Sequence, residues 1–243
     1  MVILCPIDQL GWASVSASVA LKYERASRTK RFALVFAVSA ATVSVLALLQ
    51  AAATIAIAGF FNAGQDCTAA TRVLVQAGAY DAMVAKLADQ ATNNIAVGMP
   101  DSDALVGPLN NANQLARVKG FVDRAKAEGQ EIVWGGEPNE ELGGLFFKPT
   151  LVKNPTPGSE IVSSEIFGPV LCMMTFSTDE EVIEKANGTE FGLAAVVVSG
   201  NKEHAKKITD EIVAGTIWVN CFFVRDLRAP FGGSKKSGIG RDG

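Results

Sequence analysis

From residue 60 onward, apolar positions follow two alternating rhythms. The segment 72–76, RVLVQ, is a short β-branched and apolar run, and predicts a strand. In 80–94 the apolar positions are Met83, Val84, Leu87 and Ala91, spaced as on one face of a helix. The segment 110–128 repeats that spacing with Leu115, Val118, Phe121, Val122 and Ala125. Strands follow at 131–134, 147–152 and 169–176. A helix over 179–186 takes Asp179 as its N-cap, with Glu180 and Glu181 at its positive end. A strand at 194–199, a helix at 202–213 and a strand at 216–220 complete the series. Strands alternating with helices predict an α/β fold, a mainly parallel sheet flanked by helices. No internal repeat interrupts the pattern.

The first 58 residues differ. They carry five basic residues (Lys22, Arg25, Arg28, Lys30, Arg31) against Asp8 and Glu24, and residues 32–61 carry no charge. Such a run is long enough to cross a bilayer, which needs ~20 apolar residues, and the basic cluster would hold its N-terminus in the cytoplasm. The other reading is a buried alanine-rich helix, since Ser39, Thr42, Ser44, Gln50 and Thr54 are interspersed. The run continues without a polar break into a loop that must pack in the domain behind it. The expectation is therefore that 32–61 is not a bilayer span, with a membrane anchor as the alternative. A cleaved signal peptide would have a shorter apolar region, ~7–15 residues.

Composition narrows the class. Of 243 residues, 49% are hydrophobic and 19% charged, which excludes a disordered chain. The net charge of −3 argues against a nucleic-acid partner, which would call for a basic face. Cys5, Cys67, Cys172 and Cys221 have no paired short spacing, so they form neither a disulfide framework nor a zinc site, and suit a reducing compartment. With His204 the only histidine, no histidine triad or metal cluster is expected.

Three segments carry candidate chemistry. In FFNAGQDC, 60–67, Gly64 breaks the helix, so Cys67 is expected on a tight turn with its N–H free. A nucleophilic thiol needs access and a donor aimed at the oxyanion it creates. The competing reading is a buried small hydrophobe. That reading wins for Cys172 and Cys221, which lie in or beside apolar strands. In SSEIFGPV, 163–170, Glu165 and Phe167 are two residues apart in an extended loop and point the same way. They could hold a sugar hydroxyl and a flat ring, or be an exposed carboxylate and a core aromatic. The glycine-rich PFGGSKKSGIGR, 230–241, lacks the spacing of a nucleotide loop.

Taken together and in order, these segments resemble the aldehyde dehydrogenase superfamily. The resemblance rests on FFNAGQDC with Arg72, GPL at 107–109, EIFGPV at 165–170, Asn187 with Phe191-Gly-Leu193, GTIWVN at 215–220, and PFGGSKKSGIGR. It covers residues 55–243 and corresponds to the family's catalytic domain, truncated at its C-terminus, with 1–54 an unmatched segment. The resemblance implies oxidation of a small-molecule aldehyde to a carboxylic acid. Cys67 would be the nucleophile, passing through a thiohemiacetal and a thioester, with its own N–H holding the oxyanion. The cofactor would be NAD or NADP, with Glu165 on the nicotinamide-side ribose and Phe167 on the nicotinamide. Asn62 would shape the nucleophile loop, and Phe231 would lie near the substrate funnel.

The family's dinucleotide-binding domain and its Glu-Leu-Gly-Gly-Lys segment, whose glutamate activates the deacylating water, are not matched. That sets an inactive fragment beside the enzyme as an alternative. Family homo-oligomers leave an oligomer open, though the chain's shortness weighs against it. A cytoplasmic location is expected. Substrate hints divide. GQDCTAATR with GPLNNANQLARV resembles aminoaldehyde dehydrogenases, whereas residues 222–228 resemble the hydroxymuconic-semialdehyde group. There Arg225 or Arg228 could pair with a substrate carboxylate, or with Asp226 at the surface.

Overall fold

A computed structural model describes residues 1–4, 40–224 and 226–242, with side chains from residue 48 onward in the first helix. Cys5, the basic cluster 22–31, the start of the charge-free run and Arg225 lie outside the described residues. Sheet order is β3-β4-β5-β2-β1-β7-β8. These strands are β1 (Val2–Leu4), β2 (Arg72–Gln76), β3 (Glu131–Trp134), β4 (Thr150–Lys153), β5 (Val170–Phe176), β7 (Ala194–Val198) and β8 (Thr216–Val219). All neighbours pair in parallel except β3 with β4. A two-stranded ribbon joins β6 (Phe191–Gly192) to β9 (Ser234–Lys235). The helices are α1 (Ala40–Phe60), α2 (Tyr80–Asn93), α3 (Ala112–Ala127), the single turn α4 (Glu160–Ser163), α5 (Asp179–Asn187) and α6 (Lys202–Glu211).

The strands read as continuous apolar runs because parallel strands are covered on both faces. In β2, Val73, Leu74 and Val75 are all fully buried, as are Leu171 and Met173 in β5. The sheet's centre was not visible in the sequence. Val2, Ile3 and Leu4 thread between β2 and β7, with Ile3 opposite Leu74 on one side and Val197 on the other.

Helix α1 runs unbroken across residue 54. Its inner positions Ala51, Ala52, Ile55, Ala56 and Phe60 are buried in the same core as the strands. A helix that spends these side chains on protein packing does not offer them to lipid. Among the described residues, no helix is long and apolar enough to cross a membrane. Phe60 ends α1 fully buried, edge-on to Trp134 with ring centroids 5.7 Å apart. The loop that follows thus starts from a fixed point in the core.

One helix cap differs from expectation. Thr178, not Asp179, caps α5, its hydroxyl accepting from the Glu181 N–H. Asp179 is thereby free to reach α6, where its two oxygens meet His204 Nε2 and Lys207 Nζ, each at 2.8 Å. The hydrogen bond from Lys207, then that from His204, holds the Asp179 carboxyl below its ordinary value of 3.8. A depressed carboxylate stabilises the fold above its unfolded pKa, and that stability is lost as pH falls through the folded value. Asp179→Asn is therefore expected to lower stability at pH 7 by roughly 1 kcal/mol, as for one modest ion pair to Lys207 and a weakened hydrogen bond to His204. Urea melts of variant and parent should differ most above the unfolded value of 3.8 and converge only as pH falls through the lower folded value. A gap that does not shrink at all as pH falls below 3.8 would show that the carboxylate's charge is not what joins the helices.

Candidate active site

The amino-terminal edges of four adjacent parallel strands, β5, β2, β1 and β7, open onto one cleft of about 330 Å³. Met1, Thr71, Arg72, Val170, Leu193 and Ala194 mark those edges in its wall. Open α/β sheets usually bind ligands at the carboxyl ends of their strands. Here the carriers of candidate chemistry, Cys67, Glu165 and Phe167, arrive at the opposite edge, in the loops that lead into β2 and β5.

The Cys67 loop is built by backbone conformations rare for ordinary residues. Phe61–Gly64 forms a single tight turn in which Asn62 (φ 53°) and Ala63 (φ 55°) are left-handed, as is Gly64 (φ 67°). Asn62 tolerates this because its side chain bonds locally: its Nδ2 donates to the Gln65 carbonyl at 3.0 Å. Asn62 thus shapes the loop, and is not among the cleft's lining residues. Gly64 has no alternative. A Cβ there would lie 2.2 Å from the Gly168 carbonyl oxygen. That contact is where the nucleophile loop and loop 165–167 touch.

Beyond Gly64, the Asp66 carboxylate accepts from Thr68, at 2.6 Å from its N–H and 2.7 Å from its hydroxyl. This closes the turn and leaves Cys67 exposed at its tip. Among the described residues no acceptor meets the Cys67 N–H. The other described cysteines are poor nucleophiles. Burial pushes the Cys172 thiol up to about 12, and its Sγ donates to the Ile161 carbonyl. Burial also raises Cys221.

Loop 165–167 sits across the cleft. Phe167 is left-handed (φ 57°) and 37% exposed, an unusual state for a large aromatic residue. The Glu165 side chain is exposed, and among the described residues nothing bonds its carboxylate. An open carboxylate accepts hydrogen bonds from vicinal hydroxyls, and an exposed ring offers a face to a flat heterocycle.

Arg72 has a structural task, donating to the carbonyls of Lys185 and Ala186 at the end of α5. Burial lowers its pKa. The structure does not bring Arg228 or Phe231 to this cleft. Arg228 forks onto Asp226, with contacts of 2.9 and 2.7 Å. Phe231 lines a separate hollow with Trp218, Val224 and Pro230. In contrast, Lys236 and Ser237 from the glycine-rich segment do reach the Cys67 cleft. Among the described residues, no three His, Cys, Asp or Glu side chains cluster as metal ligands would.

Comparison with known proteins shows the family. The model of the aldehyde dehydrogenase family matches residues 14–243. A betaine aldehyde dehydrogenase of Cereibacter sphaeroides is 40% identical over 187 residues, 76% of this chain and 38% of that protein. Aldehyde dehydrogenase 1 of Tanacetum cinerariifolium is 41% identical, covering 80% of this chain and 39% of its own. Among solved structures, the NAD-dependent aldehyde dehydrogenase of Sinorhizobium meliloti superposes with a TM-score of 0.77 at 38% identity, over 80% of this chain and 39% of that one. The NAD⁺ complex of an aldehyde dehydrogenase from Bacillus cereus gives 0.76, also at 38% identity, over the same shares. The chain thus spans about two fifths of the length of the relatives it matches.

Proposed function

The chain belongs to the aldehyde dehydrogenase family, and from that premise we propose that residues 55–243 supply the nucleophile and the nicotinamide-side contacts for oxidation of an aldehyde to its acid. The observation that carries this reading is the placement of an exposed Cys67, its N–H without an acceptor among the described residues, in one cleft with Glu165 and Phe167. The Cys67 thiolate attacks the aldehyde carbon, and the new oxyanion accepts from the Cys67 N–H. The chemistry that a bound NAD(P)⁺ would supply here is hydride acceptance, and a structure of a family member with NAD⁺ supports that choice. Glu165 would hold ribose hydroxyls by accepting from them, and Phe167 would offer its ring to the nicotinamide, on the same cleft as Cys67. The thioester left on Cys67 is then hydrolysed to the acid and the free thiol. The chemistry needs a reduced thiol, which a cytoplasmic setting preserves.

The chain spans about two fifths of its relatives' length, and an inactive catalytic fragment is the second reading. One experiment separates the two. Propanal should slow alkylation of Cys67 and leave Cys221 unaffected, since only a thiohemiacetal masks the sulfur. The purified 243-residue chain should bind NAD⁺ weakly and produce no steady NADH. Absence of any protection by propanal would overturn the nucleophile assignment. Sustained NADH formation would overturn the fragment reading.

A further inference from the structure

Three consecutive carbonyls of loop 165–167 are held by two side chains of α3. Gln114 Nε2 donates to the Ile166 carbonyl at 3.0 Å and to the Phe167 carbonyl at 2.7 Å. Arg117 Nη2 donates to the Glu165 carbonyl at 2.6 Å. Residues three apart share a helix face, so both reach the same strip of backbone. Arg117 is itself steadied by Phe121, its guanidinium lying 4.9 Å from the ring centroid. The helix also meets the loop through Val118, whose Cγ2 would be 2.4 Å from a Cβ at Gly168.

The start of the same helix is tied to the other loop. Gln65, two residues before Cys67, accepts from the Asn110 N–H at 2.8 Å and donates to the Pro108 carbonyl at 3.3 Å and the Asn62 carbonyl at 3.2 Å. Asn111 then caps α3 by accepting from the Gln114 N–H. Hydrogen bonds, joined by the chain link from Asn110 to Asn111, thus run from the nucleophile turn through Gln65 and the first turn of α3 to Gln114 and the backbone of Ile166 and Phe167, with Arg117 on Glu165.

We propose that Gln65, Gln114 and Arg117 are positioning residues that make the Cys67 loop and loop 165–167 one body, fixed on the amino end of α3. None of the three is assigned a reacting role; each acts through main-chain groups. The physical need is clear at Phe167. A left-handed phenylalanine relaxes unless its surroundings over-determine it, and the two donors from Gln114 are what hold its carbonyl and the preceding one. The proposal rests on the reading of this cleft as the site of aldehyde chemistry only for its consequence in catalysis; the coupling itself is a property of the fold.

The test uses the full chain and two readouts. Cleavage after Glu165 by a glutamate-specific protease reports local opening of the loop, and the rate of Cys67 alkylation by iodoacetamide reports the nucleophile. Gln114→Met keeps the shape and removes the donors. It should speed cleavage after Glu165 about tenfold, as for the loss of two modest hydrogen bonds, with cleavage elsewhere unchanged. It should also change the Cys67 alkylation rate about threefold, although Gln114 bonds to no residue of the Cys67 loop except through α3. Gln114→Lys, which restores a donor, should return both readouts toward the parent. Gln65→Met should alter alkylation similarly, and the double variant should show less than the product of the two single effects, because both ties hold one body. Parent-like cleavage in Gln114→Met, failure of the lysine to restore it, or independent multiplication of the two effects on Cys67 would each overturn the proposal. An unreactive Cys67 in the parent would instead defeat the functional reading, leaving the cleavage arm to decide the coupling.

Discussion

Replacing Gly64 by alanine is expected to be the most damaging single-methyl change in the chain's candidate site. The new Cβ would sit 2.2 Å from the Gly168 oxygen and 2.6 Å from its carbonyl carbon. Both are backbone atoms, so no side-chain rotation relieves the contact. The residue must also keep φ at 67°, which costs an L-residue roughly 1–2 kcal/mol, with overpacking adding about 1–3. A loss of about 3 kcal/mol, or roughly 6–12 °C in Tm for a chain of this size, follows. The displaced part is the junction between the two loops, so reactivity at Cys67 should fall even in the fraction that stays folded. Calorimetry with Cys67 labelling checks both. A variant that melts within about 1 °C of the parent, against that expected shift, would mean that the loops do not meet as described.

The second large effect concerns the thiols. Thiolate fraction and access set alkylation rate. Cys172 is fully buried with its pKa raised to about 12, and Cys221 is raised by partial burial, whereas Cys67 stands exposed at the tip of its turn. Substoichiometric iodoacetamide at neutral pH should label Cys67 about a hundredfold faster than Cys172, because Cys67 is exposed whereas Cys172 is buried and its thiol is raised. Cys67→Ala should remove most of the fast labelling among the described cysteines. Labelling of Cys172 at a comparable rate would show that β5 is not packed in the core.

The sequence carried the sheet and its helices well where elements were long enough to show a period. The boundaries of α2, α3, β5 and β8 fall within two residues of the apolar pattern. The strand β1 escaped because three residues show no period, and because Val2, Ile3 and Leu4 are separated from their partners in β2 by about seventy positions. Cys67 and Glu165 could be singled out because glycines mark their turns. Gln65, Gln114 and Arg117 could not. Their partners are main-chain carbonyls and amides, which every sequence contains, so nothing in the residue string says where a glutamine's amide will be needed. Arg228 and Phe231 show the reverse case. Their types suit a substrate pocket, but Arg228 satisfies itself on Asp226 and Phe231 faces another hollow. The left-handed Phe167 was equally hidden, since an aromatic side chain signals a core or a surface and not a strained backbone.

The central claim is that Cys67 forms a thioester, and acylation by an activated ester tests it without requiring any cofactor. When the folded chain is mixed with excess p-nitrophenyl acetate, the thiolate should attack the ester carbonyl, the C–O bond should break, and p-nitrophenolate should leave. A burst of p-nitrophenolate near one equivalent per chain is expected, with the acetyl group mapped by mass spectrometry to Cys67 and the burst absent in Cys67→Ala. A burst of unchanged size in Cys67→Ala, or acetyl groups confined to lysines, would contradict it.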